Sequence, residues 1–384
     1  MPPRTTPSNP HRHPSLSHPL LILDGGLGTT LTAPPYAQHF ISATTPLWSS
    51  HLLTTPSGPD TLLAAHAAFA RAGANVLLTA TYQASFEGFR RTPTVPQGAG
   101  IVEEDAARFM RAAVKVAREG FRVVARKEEG DGEREEEHEG GGRKGVVALS
   151  LGAYGATLLP SAEYSGEYPE GMRGEEALGE WHWRRLQVFF DEGVWREVDV
   201  VAFETLPRLE EIRGVRAAMR AVEECGVSEK PFWISCVFPG EGGNEAQEGH
   251  RLPDGSTVRE VVDAMLGGDE ARPWAVGVNC TKIWKVRRLL EEVEWAIAEG
   301  GYETPRLVLY PDGAGNLVYD TSRQEWLPRD GAGEGHGGKG KGWGEEMADI
   351  VRETQERGKW KGMVVGGCCM TEPEEIRELS ERLI

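Results

Sequence analysis

Cysteine is scarce in this chain of 384 residues. Its five thiols, Cys225, Cys236, Cys280, Cys368 and Cys369, are odd in number and too thinly spread to staple a fold of this size, which excludes a disulfide scaffold and leaves reduced thiols or metal ligands. Long apolar runs are missing as well: nothing approaches the roughly 18 to 20 residues of a membrane helix. The first twenty residues carry Pro2, Pro3, Pro7, Pro10, Pro14 and Pro19 and no apolar signal-peptide core, so a soluble cytoplasmic protein is expected. Positive charge is in deficit. Lys plus Arg number 42 against 59 Asp plus Glu, a formal charge of −17 that repels phosphate polymers and anionic lipid, so neither nucleic acid nor a membrane is expected as a partner.

What is present is enough apolar sequence, 39%, for a large core. Eight short β-type runs recur: Leu20 to Leu23, Asn75 to Thr79, Val146 to Leu151, Val198 to Phe203, Phe232 to Val237, Trp274 to Val278, Arg306 to Tyr310 and Gly362 to Val365. Helical stretches follow most of them. Leu62, His66 and Phe69 share one face of Pro59 to Ala72, ahead of Gly73, and Leu209, Ile212, Val215, Met219 and Val222 form a similar stripe ahead of Gly226. The alternation predicts an α/β fold, a single-domain (β/α)8 TIM barrel over residues 20–384, with an open doubly wound sheet as the competing arrangement. The barrel is preferred because chemistry-bearing residues follow the ends of so many runs. Residues 1–19 read as a disordered tail, with His11 and His13 bearing no specific role, and the charged, glycine-rich segments 127–144 and 329–342 as solvated insertions.

Asp24 closes the first run and is followed by Gly25, Gly26 and Gly28. A dinucleotide fingerprint would place spaced glycines before the acid, so a phosphate cradle is disfavoured. Two readings stay open: an acid and bare backbone N–H groups gripping an ammonium and a carboxylate, or a tight turn with Asp24 as cap. Cys280 ends the sixth run, and Cys368-Cys369 follows the eighth through Gly366-Gly367, glycines that free the backbone to leave the strand so that both thiols can serve one ion. Three thiolates on zinc would leave a fourth position open, as in a catalytic site; the plainer alternative is three buried small hydrophobes. Glu204 ends the fourth run, either on the same rim as Asp24 or as a cap for the helix near Pro207. Cys225 and Cys236 are expected in the core, and His66 and His182 as structural histidines.

With these residues the chain resembles the homocysteine S-methyltransferase family. The likeness is carried by LDGGLGTTL (Leu23 to Leu31), LWSSHLL (Leu47 to Leu53), TYQASFEGF (Thr81 to Phe89), LGAYGATLLPSAEYSGEY (Leu151 to Tyr168), VVAFETLPRLEE (Val200 to Glu211), GVNCTKIWKV (Gly277 to Val286) and VVGGCC (Val364 to Cys369). It implies a zinc-dependent (β/α)8 barrel that methylates the thiol of homocysteine, with Zn2+ on Cys280, Cys368 and Cys369. It also implies the homocysteine amino group on Asp24 and Glu204, and the Gly25 and Gly26 backbone near the substrate. The EYSGEY and GVNCTKIWKV segments are most similar to the branch using S-methylmethionine or S-adenosylmethionine, and a cobalamin-binding extension is not expected. One departure is Asp312-Gly313 after Tyr310-Pro311, where many relatives have Asn, so the substrate contacts of that loop are not carried over. Aromatic faces such as Trp48, Tyr82 or Tyr154 would favour a sulfonium. The alternatives in other classes are a barrel that holds zinc and an amino acid without turnover, as a sensor or store, and a barrel lyase with structural cysteines.

Overall fold

Eight parallel strands run in the order β1, β10, β7, β6, β5, β4, β3, β2, and the first and last are joined, so the sheet closes into a (β/α)8 barrel. The computed structural model describes residues 13–37, 46–93, 98, 100–129, 145–239, 249–320, 325–328 and 341–384. The barrel strands are β1 (Leu20–Ile22), β2 (Val76–Leu78), β3 (Val146–Gly152), β4 (Val200–Leu206), β5 (Phe232–Cys236), β6 (Ala275–Lys282), β7 (Arg306–Asp312) and β10 (Met363–Val365). Between β7 and β10 the chain makes an antiparallel hairpin, β8 (Leu317–Asp320) and β9 (Glu325–Pro328). Closure joins main chain to main chain with one side chain helping: Leu23 bridges Val76, the Asp24 N–H donates to the Val76 carbonyl, and the Asn75 side chain accepts from the Ile22 N–H at 2.8 Å. All eight predicted runs are strands. Burial on both faces explains why they read as continuous apolar segments.

Alternation decides what each residue faces. In β4, Val200 and Ala202 join the cluster that fills the barrel, while Val201 and Phe203 pack outward against the helices. Trp233, fully buried, occupies much of the barrel interior. The two predicted helices are Gly58–Arg71, opened by Pro59 and ended at Gly73 (φ 99°), and Leu209–Glu224, ended before Gly226 (φ 79°). Both bury the expected stripes, apart from the half-buried Leu209, each fully buried aliphatic contributing about 1.5 to 3 kcal/mol.

Three expectations change. Residues 1–12, and with them His11, lie outside the described residues, but 13–19 are ordered rather than part of a disordered lead-in: Pro14–Ser17 form a turn, and Leu16, 1% exposed, packs into the barrel-filling cluster. Leu16 anchors the segment together with Arg306, which donates to the Ser17 and His18 carbonyls at 3.2 and 2.7 Å. Cys225 is exposed at the end of its helix, since the stripe ends at Val222 and the last turn faces outward. Of the first insertion, 127–129 continue the helix Glu103–Glu129, and 130–144 lie outside the described residues, as do 329–340 of the second. Among the described residues no helix is long and apolar enough to cross a membrane.

Candidate active site

The C-terminal strand ends enclose one cavity that gathers most of the predicted site residues: Gly25, Gly26, Glu204, Cys280, Cys368 and Cys369 all line it. Asp24 lies just beneath, fully buried between β1 and β2, where its Oδ2 accepts from the Leu78 N–H at 3.0 Å and its Oδ1 has no partner among the described residues. Burial lifts its pKa well above the usual carboxylate range; the Leu78 hydrogen bond opposes this and the nearby Glu204 adds to it.

Glu204 points inward with Val200 and Ala202, as period two requires, and is not the cap of the following helix. Its Oε1 accepts from Ser150 Oγ at 2.5 Å. Tyr310 also hydrogen-bonds it and is itself held by Ser235 and Trp233, a polar chain rising from the middle of the barrel. Burial raises the Glu204 pKa to about 7, against the Ser150 and Tyr310 hydrogen bonds.

Cys280 is turned to the rim by an irregularity that spacing did not reveal. In β6, Val276 and Val278 face the helices, so a straight strand would send Cys280 the same way. Instead the β6–β7 register shifts after Asn279, and Cys280 adopts φ 47°, a backbone that costs of order 1 to 3 kcal/mol outside glycine. Strand β4 does the same beside it: its register shifts after Phe203, with Thr205 at φ 61°. Asn279 clasps the two irregular strands, accepting from the Thr205 N–H at 2.9 Å and donating to Thr205 Oγ1 at 2.7 Å.

Cys368 and Cys369 follow β10 after the chain has left the strand, as anticipated. The glycines act by close approach: a Cβ on Gly366 would sit 2.7 Å from the Asp24 carbonyl oxygen, and one on Gly26 2.5 Å from that of Cys368. The Gly26 N–H is donated to the Thr371 carbonyl at 2.9 Å, so at this residue the bare N–H grip, one of the two readings left open, is not what the backbone offers. The sulfurs of Cys280, Cys368 and Cys369 lie within 4.8 Å of one another. Those of Cys280 and Cys368 are paired as a disulfide, where reduced thiols or metal ligands were expected, and their Cα atoms stand 5.5 Å apart, within disulfide reach. Burial, then Asp312 and Glu163, pushes the Cys369 thiol up to about 12. Once reduced, three convergent sulfurs on one side of an open cavity fit a soft tetrahedral ion with a free coordination position.

Trp48 and Tyr82 line the cavity, but Tyr154 does not; it packs edge-on to Tyr168 and Trp181, at 5.2 and 5.3 Å. Glu163, Tyr164, Tyr319 and Trp326 were missed. The last two come from the β8–β9 hairpin, which has no chemical signature in sequence. Asp312 is absent from the lining: it pairs with Lys282 at 3.2 Å, and Lys282 also donates to the Leu317 carbonyl, so the altered loop roots the hairpin. Among the lining residues there is no Lys, Arg or His. Cys236 is buried in the core, and the two histidines are structural: His182 is buried against Glu211 at 2.9 Å, and burial lowers the pKa of His66 to about 4.

The family described as homocysteine S-methyltransferase matches the chain over residues 21–383. Homocysteine S-methyltransferase 4 of Zea mays is 31% identical over 359 residues, spanning 94% of this chain and 88% of that one. The selenocysteine Se-methyltransferase of Brassica oleracea var. italica is 29% identical over 363 residues, spanning 94% and 88%. The metallated form of the homocysteine methyltransferase MmuM from Escherichia coli superposes with a TM-score of 0.65 at 25% identity, over 95% of this chain and 96% of that one. The chain belongs to the homocysteine S-methyltransferase family, a family of methyl-transferring enzymes.

Proposed function

We propose that this enzyme transfers a methyl group from a sulfonium donor, S-methylmethionine in the first place, to the sulfur of L-homocysteine, forming methionine, with Zn2+ held by Cys280, Cys368 and Cys369. The observation that carries it is the convergence of three cysteine sulfurs in a cavity lined by carboxylates and aromatic rings and by no cationic side chain among the described residues. Such a lining favours cations, and both substrates bring one: the ammonium of homocysteine and the sulfonium of the donor. Asp24 and Glu204 take the ammonium, whose positive charge favours the anionic form that burial otherwise disfavours. Trp48 and Tyr82 offer ring faces to the sulfonium, each at about 0.5 to 2 kcal/mol. When bound, zinc supplies a positive centre that keeps a thiol in its nucleophilic thiolate form at neutral pH. As the homocysteine sulfur bonds to the methyl carbon, the donor's sulfur–methyl bond breaks and its electron pair stays on the donor sulfur, which leaves as a neutral thioether; the thiol proton goes to solvent. A sulfonium is already activated, so alignment is the main task of the protein.

The ion-holding state needs Cys280 and Cys368 reduced, which fits work in a reducing compartment such as the cytoplasm. The preference for S-methylmethionine over S-adenosylmethionine or betaine rests on the EYSGEY and GVNCTKIWKV segments. The test is metal analysis of the reduced protein and of Cys280→Ser, with methionine formation from homocysteine and each of S-methylmethionine, S-adenosylmethionine, betaine and methylcobalamin. About one zinc per chain, lost in the variant, and turnover with a sulfonium are expected. Undiminished zinc in Cys280→Ser sinks the three-thiolate site, betaine turnover alone overturns the donor, and zinc and homocysteine binding without turnover favours a sensor or store.

A further inference from the structure

Glu163 is a buried carboxylate with no cationic side chain in the lining of its cavity. It is 6% exposed and lines the cavity, and its Oε2 has no hydrogen-bond partner among the described residues. A carboxylate taken out of water is normally paired or fully hydrogen-bonded, because leaving it unmatched costs several kcal/mol, roughly. Ser161 of the same loop hydrogen-bonds the carboxylate, which leaves Oε2 as its unfilled acceptor. That loop is pinned by the Ala162 N–H on the Gly155 carbonyl, by the Gly166 N–H on the Ala162 carbonyl, and by Tyr168 Oη on Glu211. The carboxylate therefore stands ready for something that enters the cavity.

Its place separates it from the homocysteine acids. Asp24 feels the charge of Glu204, which stands on β4, whereas Glu163 stands on the loop that follows β3. Tyr82 feels the charge of both Glu204 and Glu163 and lines the same cavity as they do. Around Glu163 are Tyr164, Tyr319 and Cys369, which places it on the aromatic side of the sulfur cluster. Homocysteine has one ammonium, and Asp24 with Glu204 already accounts for it. A sulfonium or quaternary ammonium centre can rest against the rings, but it has no N–H to give an unfilled carboxylate oxygen.

We infer that Glu163 receives the α-ammonium of the methyl donor, so that the second subsite is built for an amino-acid sulfonium rather than for a simple sulfonium or a betaine. This rests on the methyl-transfer reading. The test is steady-state kinetics of wild type, Glu163→Gln and Glu163→Ala with two donors, S-methylmethionine and its des-amino analogue 4-(dimethylsulfonio)butanoate. In the variants kcat/KM for S-methylmethionine should fall roughly 10- to 100-fold, the effect of losing a hydrogen bond to a charged group, with the loss in donor KM. The value for the des-amino donor should stay within about twofold of wild type. Unchanged homocysteine KM and zinc content certify that the variants are folded. Variants that leave both donors unchanged, lower both equally, or raise the homocysteine KM overturn the inference alone. A wild type that methylates homocysteine with neither sulfonium overturns the methyl-transfer reading and the inference with it.

Discussion

Glu204 carries opposite obligations toward stability and binding. Without substrate its buried carboxyl titrates near 7 instead of 4.5. A raised folded-state pKa contributes stability that is fully present below about 4.5 and is lost as pH rises through about 7. Glu204→Gln, neutral at every pH, should therefore match wild type in substrate-free melting near the acid end of that window and exceed it on the alkaline side. Equal melting curves at both ends would show that the carboxylate is relieved by some other group. Homocysteine binding should follow the reverse logic, because the ammonium needs the anion. Glu204→Gln or Asp24→Asn should weaken it by roughly 1.5 to 3 kcal/mol while zinc is retained. If both variants keep wild-type homocysteine KM and kcat, the acids serve another purpose.

At the level of strands, two register shifts do what alternation alone could not. Cys280 would face the helices on a regular β6; the shifted register and left-handed φ bring it to the rim. The Asn279 clasp on Thr205 binds this irregularity to the one in β4 that follows Glu204. Asn279→Ala should leave the buried Thr205 N–H unsatisfied, at a cost of about 1 to 3 kcal/mol, and loosen both subsites together. Thermal melting, zinc titration and homocysteine binding check it, and a variant that melts earlier with zinc and homocysteine affinities intact would reduce the clasp to a stability device. Period two was legible for Glu204, since Val200 and Ala202 lead up to it, but a register shift has no periodic signature.

Across the whole molecule, chemistry collects at the C-terminal ends of the strands and structural packing at the other, the division of labour this barrel imposes. The ordered turn Pro14–Ser17 belongs to the second group, with Leu16 buried against the barrel-filling cluster. Leu16→Ala should cost about 2 to 5 kcal/mol of stability, read by chemical denaturation, and leave kcat at a permissive temperature unchanged. A fall in kcat with stability intact would mean that the two ends communicate.

The spacing of apolar runs and the position of chemistry-bearing residues after them were sufficient for the barrel and for the thiols and acids gathered at one rim. These are local properties, repeated often enough along the chain to be counted. The pairing of Cys280 with Cys368, the unfilled Oε2 of Glu163, the hairpin rings Tyr319 and Trp326 and the packing of Tyr154 away from the cavity were decided only by tertiary structure. Each depends on which side chains from distant segments arrive at the same few ångströms, and in a closed barrel that is set by register and loop path rather than by any pattern within one segment.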